Sequence, residues 1–179
     1  VSTYPTIYAG QRITGTLLRS MLPDIIVKNT NEDRASTTTL ANDTDLTATL
    51  EANAVYHVTM YIHFAAVEAA QFQTQWALPT GASGNRSANG AAYELASSGA
   101  ATAQAANGGY HRSGVHAFGT TVRYGTRASA TNQALAIEEG VITTSSTAGT
   151  IALMWAQFTS SATATRVGAG SSMHIRRLA

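Results

Sequence analysis

The residues of this chain best suited to chemistry are its five histidines, because a neutral imidazole both ligates metals and moves protons near neutral pH. His57 and His63 fall on one face of a period-two segment, but six residues of strand hold them roughly 20 Å apart, too far to share an ion. His111 and His116 flank a glycine stretch, and His174 stands alone near the end. No HxH or HExxH spacing occurs. Ordinary surface or interface histidines are therefore expected, with a site on a symmetry axis, one histidine from each copy, left open.

The other reactive groups are scattered in the same way. Glycoside hydrolysis needs two carboxyl groups facing one bond. Glu138 and Glu139 are adjacent on a strand-like segment and so face opposite ways, while Glu51, Glu68 and Glu94 are isolated and read as solvated. Acyl transfer needs a nucleophile, a base and an orienting group, yet no GxSxG elbow occurs and Ser87 in NRSANG has no strand-to-helix setting. Asn42, Asp43 and Asp45 look like the start of a calcium loop without its remaining ligands or closing glutamate. Cysteine is absent, which removes thiol nucleophiles, thiolate metal sites and disulfides. No catalytic, metal or cofactor-binding residue is expected, and the chain reads as a non-enzyme.

A binding role has one candidate segment. Asn85, Arg86, Asn89, Tyr93, Tyr110, His111 and Arg112 offer planar amides, aromatic rings and guanidinium groups, a mixture suited to a glycan or another protein. A solvent-facing tip with no ligand is the competing reading, and the favoured one.

Composition narrows the partners. Charged residues make up 12% of the 179 residues, about half the usual share, and net charge is +1. Ala, Thr, Ser, Gly and Asn take their place, giving a neutral surface whose short side chains lose little rotamer entropy when buried against copies of the same chain. Nucleic acid is not an expected partner, since it demands a concentrated basic footprint. Arg176 and Arg177, adjacent in a strand pattern, point to opposite faces. No apolar run reaches the length of a membrane span, and VSTYPTIYAG lacks the blocks of a signal peptide, so a soluble protein assembled in a cytoplasm is expected.

The elements that must position these residues are mostly strands. An extended arm precedes a helical pattern from Gln11 to Leu22, where Ile13, Leu17, Leu18, Met21 and Leu22 share a face before Pro23 stops it. With Tyr8 and Arg12 they form a candidate docking surface, because three turns of helix need something to lie on. From Asp24 the period becomes two, with strands expected at 25–28, 36–40, 45–50 and 55–65. The turn NTNEDR separates the first two. In 55–65, Tyr56, Val58, Met60, Ile62 and Phe64 share one face, and the expected partner is Gln71–Leu78, where Phe72, Trp76 and Leu78 alternate with glutamines. Residues 79–114 are dominated by Gly, Ala, Ser and Asn and read as a long loop with at most a short strand at 92–95. Further strands are expected at 115–124, 133–143, 149–158, 163–167 and 171–178. The sum is an all-β antiparallel sandwich at 24–179 behind an arm and helix at 1–23, with Trp76, Trp155, Phe64, Phe72, Ile151 and Leu153 in its core.

Both ends carry a resemblance. YAGQRITGTLLRSMLP is similar to the start of many actinobacteriophage virion proteins, in which AGxRIT leads into a short helix ending in Leu-Pro. TAGTIALMWAQFTSSATATRVGAGSSMHIRRL resembles their C-terminal hairpins, and DRASTTTLANDTDLTATLEANAVYHV fits the layout between. The resemblance covers residues 8–65 and 145–178 and lapses across 79–114. Members of that family are minor tail, head-fibre or capsid decoration proteins. It implies a jelly-roll-like sandwich, a homotrimer, and a place in the virion beside the major capsid protein or other virion proteins; a host surface glycan as a further partner is an expectation of the 85–112 residues named above.

Overall fold

The computed structural model of the chain describes residues 7–19, 22–91, 93–95, 101–103 and 111–179. One short helix, α1 (Gly15–Arg19), precedes the strands. The first five strands are β1 (Asp24–Val27), β2 (Glu32–Arg34), β3 (Ala41–Leu50), β4 (Val55–Ala66) and β5 (Phe72–Ala77). Next come β6 (Ser83–Ala91), β7 (Tyr93–Leu95), β8 (Ala101–Ala103), β9 (His111–Ala117) and β10 (Val122–Tyr124). The chain finishes with β11 (Ser129–Thr143), β12 (Gly149–Gln157), β13 (Thr165–Val167) and β14 (Ser172–Arg177).

Two antiparallel sheets face each other. The larger runs β1-β14-β4-β11-β6-β9, with β13 joining β4 to β2; the smaller runs β10-β5-β12-β3, and β7 pairs β8 apart from both. Alternation decides which side chains lie between them. Tyr56, Val58, Met60, Ile62 and Phe64 of β4 are buried against Phe72 and Trp76 of β5 and Ile151, Leu153 and Trp155 of β12. Phe64 and Phe72 stack with centroids 4.4 Å apart. Each such side chain contributes roughly 1.5 to 3 kcal/mol of burial, which is how a chain without metal or disulfide holds two layers together.

The structure corrects several expectations. Gln71–Leu78 does not pair with β4: β5 lies in the opposite sheet, and β4 is bracketed by β11, β13 and β14. A tight turn, closed by Gln71 N–H on Val67 O at 3.0 Å with Gln71 at φ 55°, carries the chain across the sandwich instead of back along the same sheet. Residues 36–40 are not a strand but a loop laid over the smaller sheet, where Thr38 O accepts from Gln73 Nε2 at 3.0 Å. The supposed turn at 29–34 contains β2, and 115–124 is broken by a turn at 118–120.

The largest correction concerns 79–114. Most of its first part is β6, which runs along the second half of β11 from Ser83↔Thr143 to Gly90↔Ala136, and its far end is β9 on the other side of β6. Low strand propensity is overridden because small residues are what the site requires: a Cβ on Gly90 would stand 2.8 Å from the Tyr124 ring. The expected helix also shrinks. Only Gly15–Arg19 is helical among the described residues, with Thr14 Oγ1 accepting from Leu17 N–H as its cap.

Candidate functional site

Two buried clusters hold the charge that the sequence shows so sparingly, and both are centred on a tryptophan. In the first, Glu138 points inward from β11 in phase with Ala136 and Gly140, and Arg86 points inward from β6 in phase with Ala88. Neither side chain has any exposure. Glu138 Oε2 accepts from Trp76 Nε1 at 2.6 Å and from Arg86 Nη1, while Oε1 accepts from Tyr124 Oη at 2.7 Å and from Thr74 Oγ1. Arg86 Nη2 donates to the carbonyls of Thr74 and Thr120 at 3.1 and 2.8 Å. Burial first, and then the neighbouring Glu138 carboxylate, push the Tyr124 phenol well above its ordinary value, so it remains a donor.

The second cluster sits where β1 ends against β2 and β3. Lys28 Nζ donates to Asp43 Oδ1 and Glu32 Oε2 at 3.0 Å and to Asp45 Oδ2 at 3.2 Å. Asp43 Oδ2 accepts from Trp155 Nε1 at 3.0 Å, and the Arg34 guanidinium lies 4.0 Å over the Trp155 ring. Burial alone would raise the Glu32 carboxyl, but hydrogen bonds from Arg34, Lys28 and Thr44 outweigh it and hold it at about 2. Burial would likewise lower Lys28, yet the bonds from Asp43 and Glu32 and their charges leave it raised. The acids that look like a calcium loop in the sequence thus converge on a cation, and that cation is the chain's own ammonium group. The first cluster is fully enclosed with Arg86 Nε left without a partner, whereas the second is internally paired but reaches solvent at Glu32 and Asp45.

These placements sort the candidate binding residues. Arg86 does not belong to a surface loop; it is fully buried in the first cluster, a correction with a plain cause, since β6 needs a partner for Glu138. Asn85 and His111 are exposed on the outward face of the larger sheet. Arg112 lies on the other side of β9, where Gly114 and His116 from β9 and Val122, Arg123 and Tyr124 from β10 form a cleft of about 220 Å³ at the open edge of the sandwich. Arg123 is set in place there by Phe158, 3.9 Å beneath it, and by Gln71 Oε1. Tyr110 lies outside the described residues, as does the side chain of Tyr93.

The candidate docking residues stand clear of the core. Tyr8, Arg12, Ile13, Leu18 and Leu22 are exposed and Leu17 is half-buried, with Ile13 at 61% and Leu22 at 68%. Met21 lies outside the described residues. Of the residues that organise the interior charge, Lys28 is not singled out in the sequence, while Glu138 and Asp43 figure there only as a catalytic carboxylate and a calcium ligand and Trp76 only as core. The usable signal was phase: Glu138 shares the inward parity of Ala136 and Ile142.

No protein-family model and no curated protein matches the chain. Among solved structures it is similar at 11% identity and a TM-score of 0.20 to one described as the infectious bursal disease virus Gx strain, covering 87% of this chain and 39% of that one. A crystal structure of the infectious bursal disease virus VP2 subviral particle gives 9% identity and a TM-score of 0.21, covering 88% of this chain and 41% of that one. The chain thus spans about two fifths of these neighbours, and the overlap does not amount to a shared fold.

Proposed function

We propose that this chain is a structural protein of a phage-like virion, a capsid decoration or head-fibre component that stands on the particle as a homotrimer. The resemblance at residues 8–65 and 145–178 supplies the family. The observation that carries the role is the segment ahead of β1: Ile7, Tyr8, Ile13, Leu18 and Leu22 are all exposed, yet the chain continues directly into a strand fixed by β14. Apolar surface left in water costs about 25 cal/mol per Å², so a group of such side chains outside the core is suited to burial in a partner. The partner proposed is the major capsid protein or another virion protein.

A chain beginning at residue 23 is expected to fold with little change in melting temperature, since none of the described residues of 7–22 is in the core, and to be missing from particles. Recovery of the truncated chain in particles at full copy number would remove the docking role. Copy number also separates this reading from a minor tail protein, because a capsid component repeats across the shell and a tail component rings a tube or tip.

The cleft at the open edge favours a second reading, a receptor- or glycan-binding module. Arg112, His116 and Arg123 line it beside the aromatic rings of Tyr124 and Phe158. Guanidinium groups beside rings suit a carboxylate-bearing sugar. On a glycan array the chain should then retain acidic sugars, and Arg112→Ala with His116→Ala should abolish the signal. A signal unchanged by both substitutions would rule the cleft out.

A further inference from the structure

We infer that the outward face of the larger sheet is the surface on which this chain meets a second copy of itself, an inference that rests on the homo-oligomer reading above. Strand register defines the face. One row crosses six strands as Ile25, His174, Thr59, Glu139, Ser87 and Val115, and the next crosses as Val27, Ser172, Tyr61, Ile137, Asn89 and Ser113. No described element covers these rows.

Four properties identify the occupant. The first is apolar content: Ile25, Val27, Tyr61, Leu135, Val141 and Val115 are large, exposed and all on this face, with Val115 at 71%. The strands of the smaller sheet expose no such residue among those described; their outward side chains include Gln75, Thr49 and Thr150. The second is size. Six strands about 4.8 Å apart and three to four rows of outward side chains about 7 Å apart give roughly 700 Å², close to the ~800 Å² per partner of a stable interface.

The third property is charge. Glu139 and Arg176 are the fixed charges among the described outward side chains of these six strands, so the face is near neutral and does not repel its own copy. The fourth is relief. Val115 stands out from β9, while His57, Asn85, Glu139 and Val141 line a shallow depression of about 500 Å³ on the same face. Around a three-fold axis each copy offers its projection to one neighbour and its hollow to the other, so one face must carry both.

Sedimentation equilibrium of the full chain tests this. The wild-type mass should be three times 18.6 kDa, and Val115→Lys with Leu135→Lys should weaken association about a hundredfold or more by placing like charges against each other. Thr49→Lys with Thr150→Lys, on the smaller sheet, should change nothing. An oligomer that survives the first pair overturns the face and leaves the homo-oligomer standing; a wild-type chain that stays monomeric when concentrated overturns the homo-oligomer itself. Should the lysine pair fail to fold, the absence of native cysteine gives a second route. Val141→Cys should form dimers with a short bis-maleimide and Thr49→Cys should not, and equal cross-linking of the two overturns the proposal.

Discussion

Replacing Glu138 with leucine should lower the melting temperature by about 10 °C, the largest loss from any single substitution at the polar interior, because a broken buried ion pair costs about 3 to 5 kcal/mol and each kcal/mol moves a domain of this size by about 2 to 4 °C. The carboxylate accepts from Arg86, Trp76, Tyr124 and Thr74 at once, and the leucine satisfies none of them. Arg86 keeps the carbonyls of Thr74 and Thr120 but loses its counter-charge in a site with no exposure. Adding Arg86→Met to Glu138→Leu should restore part of the stability, since no lone charge remains while Trp76, Tyr124 and Thr74 still lack their acceptor. Calorimetry of the two single variants and the double variant decides it. A single variant within about 1 kcal/mol of the parent, or a double variant that is simply the sum of the two, would mean the pair is not coupled.

Lys28→Met comes next, with an expected loss of about 3 kcal/mol at neutral pH, because Asp43, Glu32 and Asp45 then face one another without the ammonium between them. Asp43 is partly spared by the backbone N–H groups of Asp45 and Leu46 at 3.0 and 2.9 Å. The pH profile carries the signature. Glu32 is held at about 2 against an ordinary 4.5, so its contribution is complete above about 4.5 and drains away as pH falls toward 2. Lys28 acts in the opposite sense: its raised value gives stability that is full below 10.5 and lost only as pH climbs beyond it. Melting temperature followed from neutral pH down to 2 should therefore fall through the 4.5-to-2 window in the parent, fall less steeply in Glu32→Gln, and show the Lys28→Met penalty shrinking as the carboxyls protonate. A penalty that stayed constant across the window would mean the lysine acts through packing alone.

The alternation in β4 was legible because both of its faces are distinct, Tyr56 to Phe64 on one and His57 to His63 on the other. It does not say which strand lies alongside. A short connection after Ala66 fits a return within one sheet as well as a crossing to the other, and only the packing of Phe72 against Phe64 chooses the crossing. β6 was illegible for a different reason. Serine, asparagine and glycine have little strand propensity of their own, and the segment is a strand because β11 and β9 flank it and the Tyr124 ring needs a glycine beneath it. Arg86 followed the segment into error, since a charge in a presumed loop is read as solvated, whereas its parity with Ala88 puts it inside. The cleft was out of reach of the sequence altogether, because Arg112 and Arg123 meet only where the edges of two different sheets come together.

The pairing of β1 with β14, and of β2 with β13, sets an order of events during synthesis. The strand at 24–27 is made well before its neighbour at 172–177, so it waits with an open edge while the residues between them are synthesised. The apolar residues at 7–22 precede that waiting strand, and the edge beside it closes only once residues 172–177 have been made. On the docking role proposed above, a partner that engaged the arm together with the closed edge would pass over chains whose β14 is still missing.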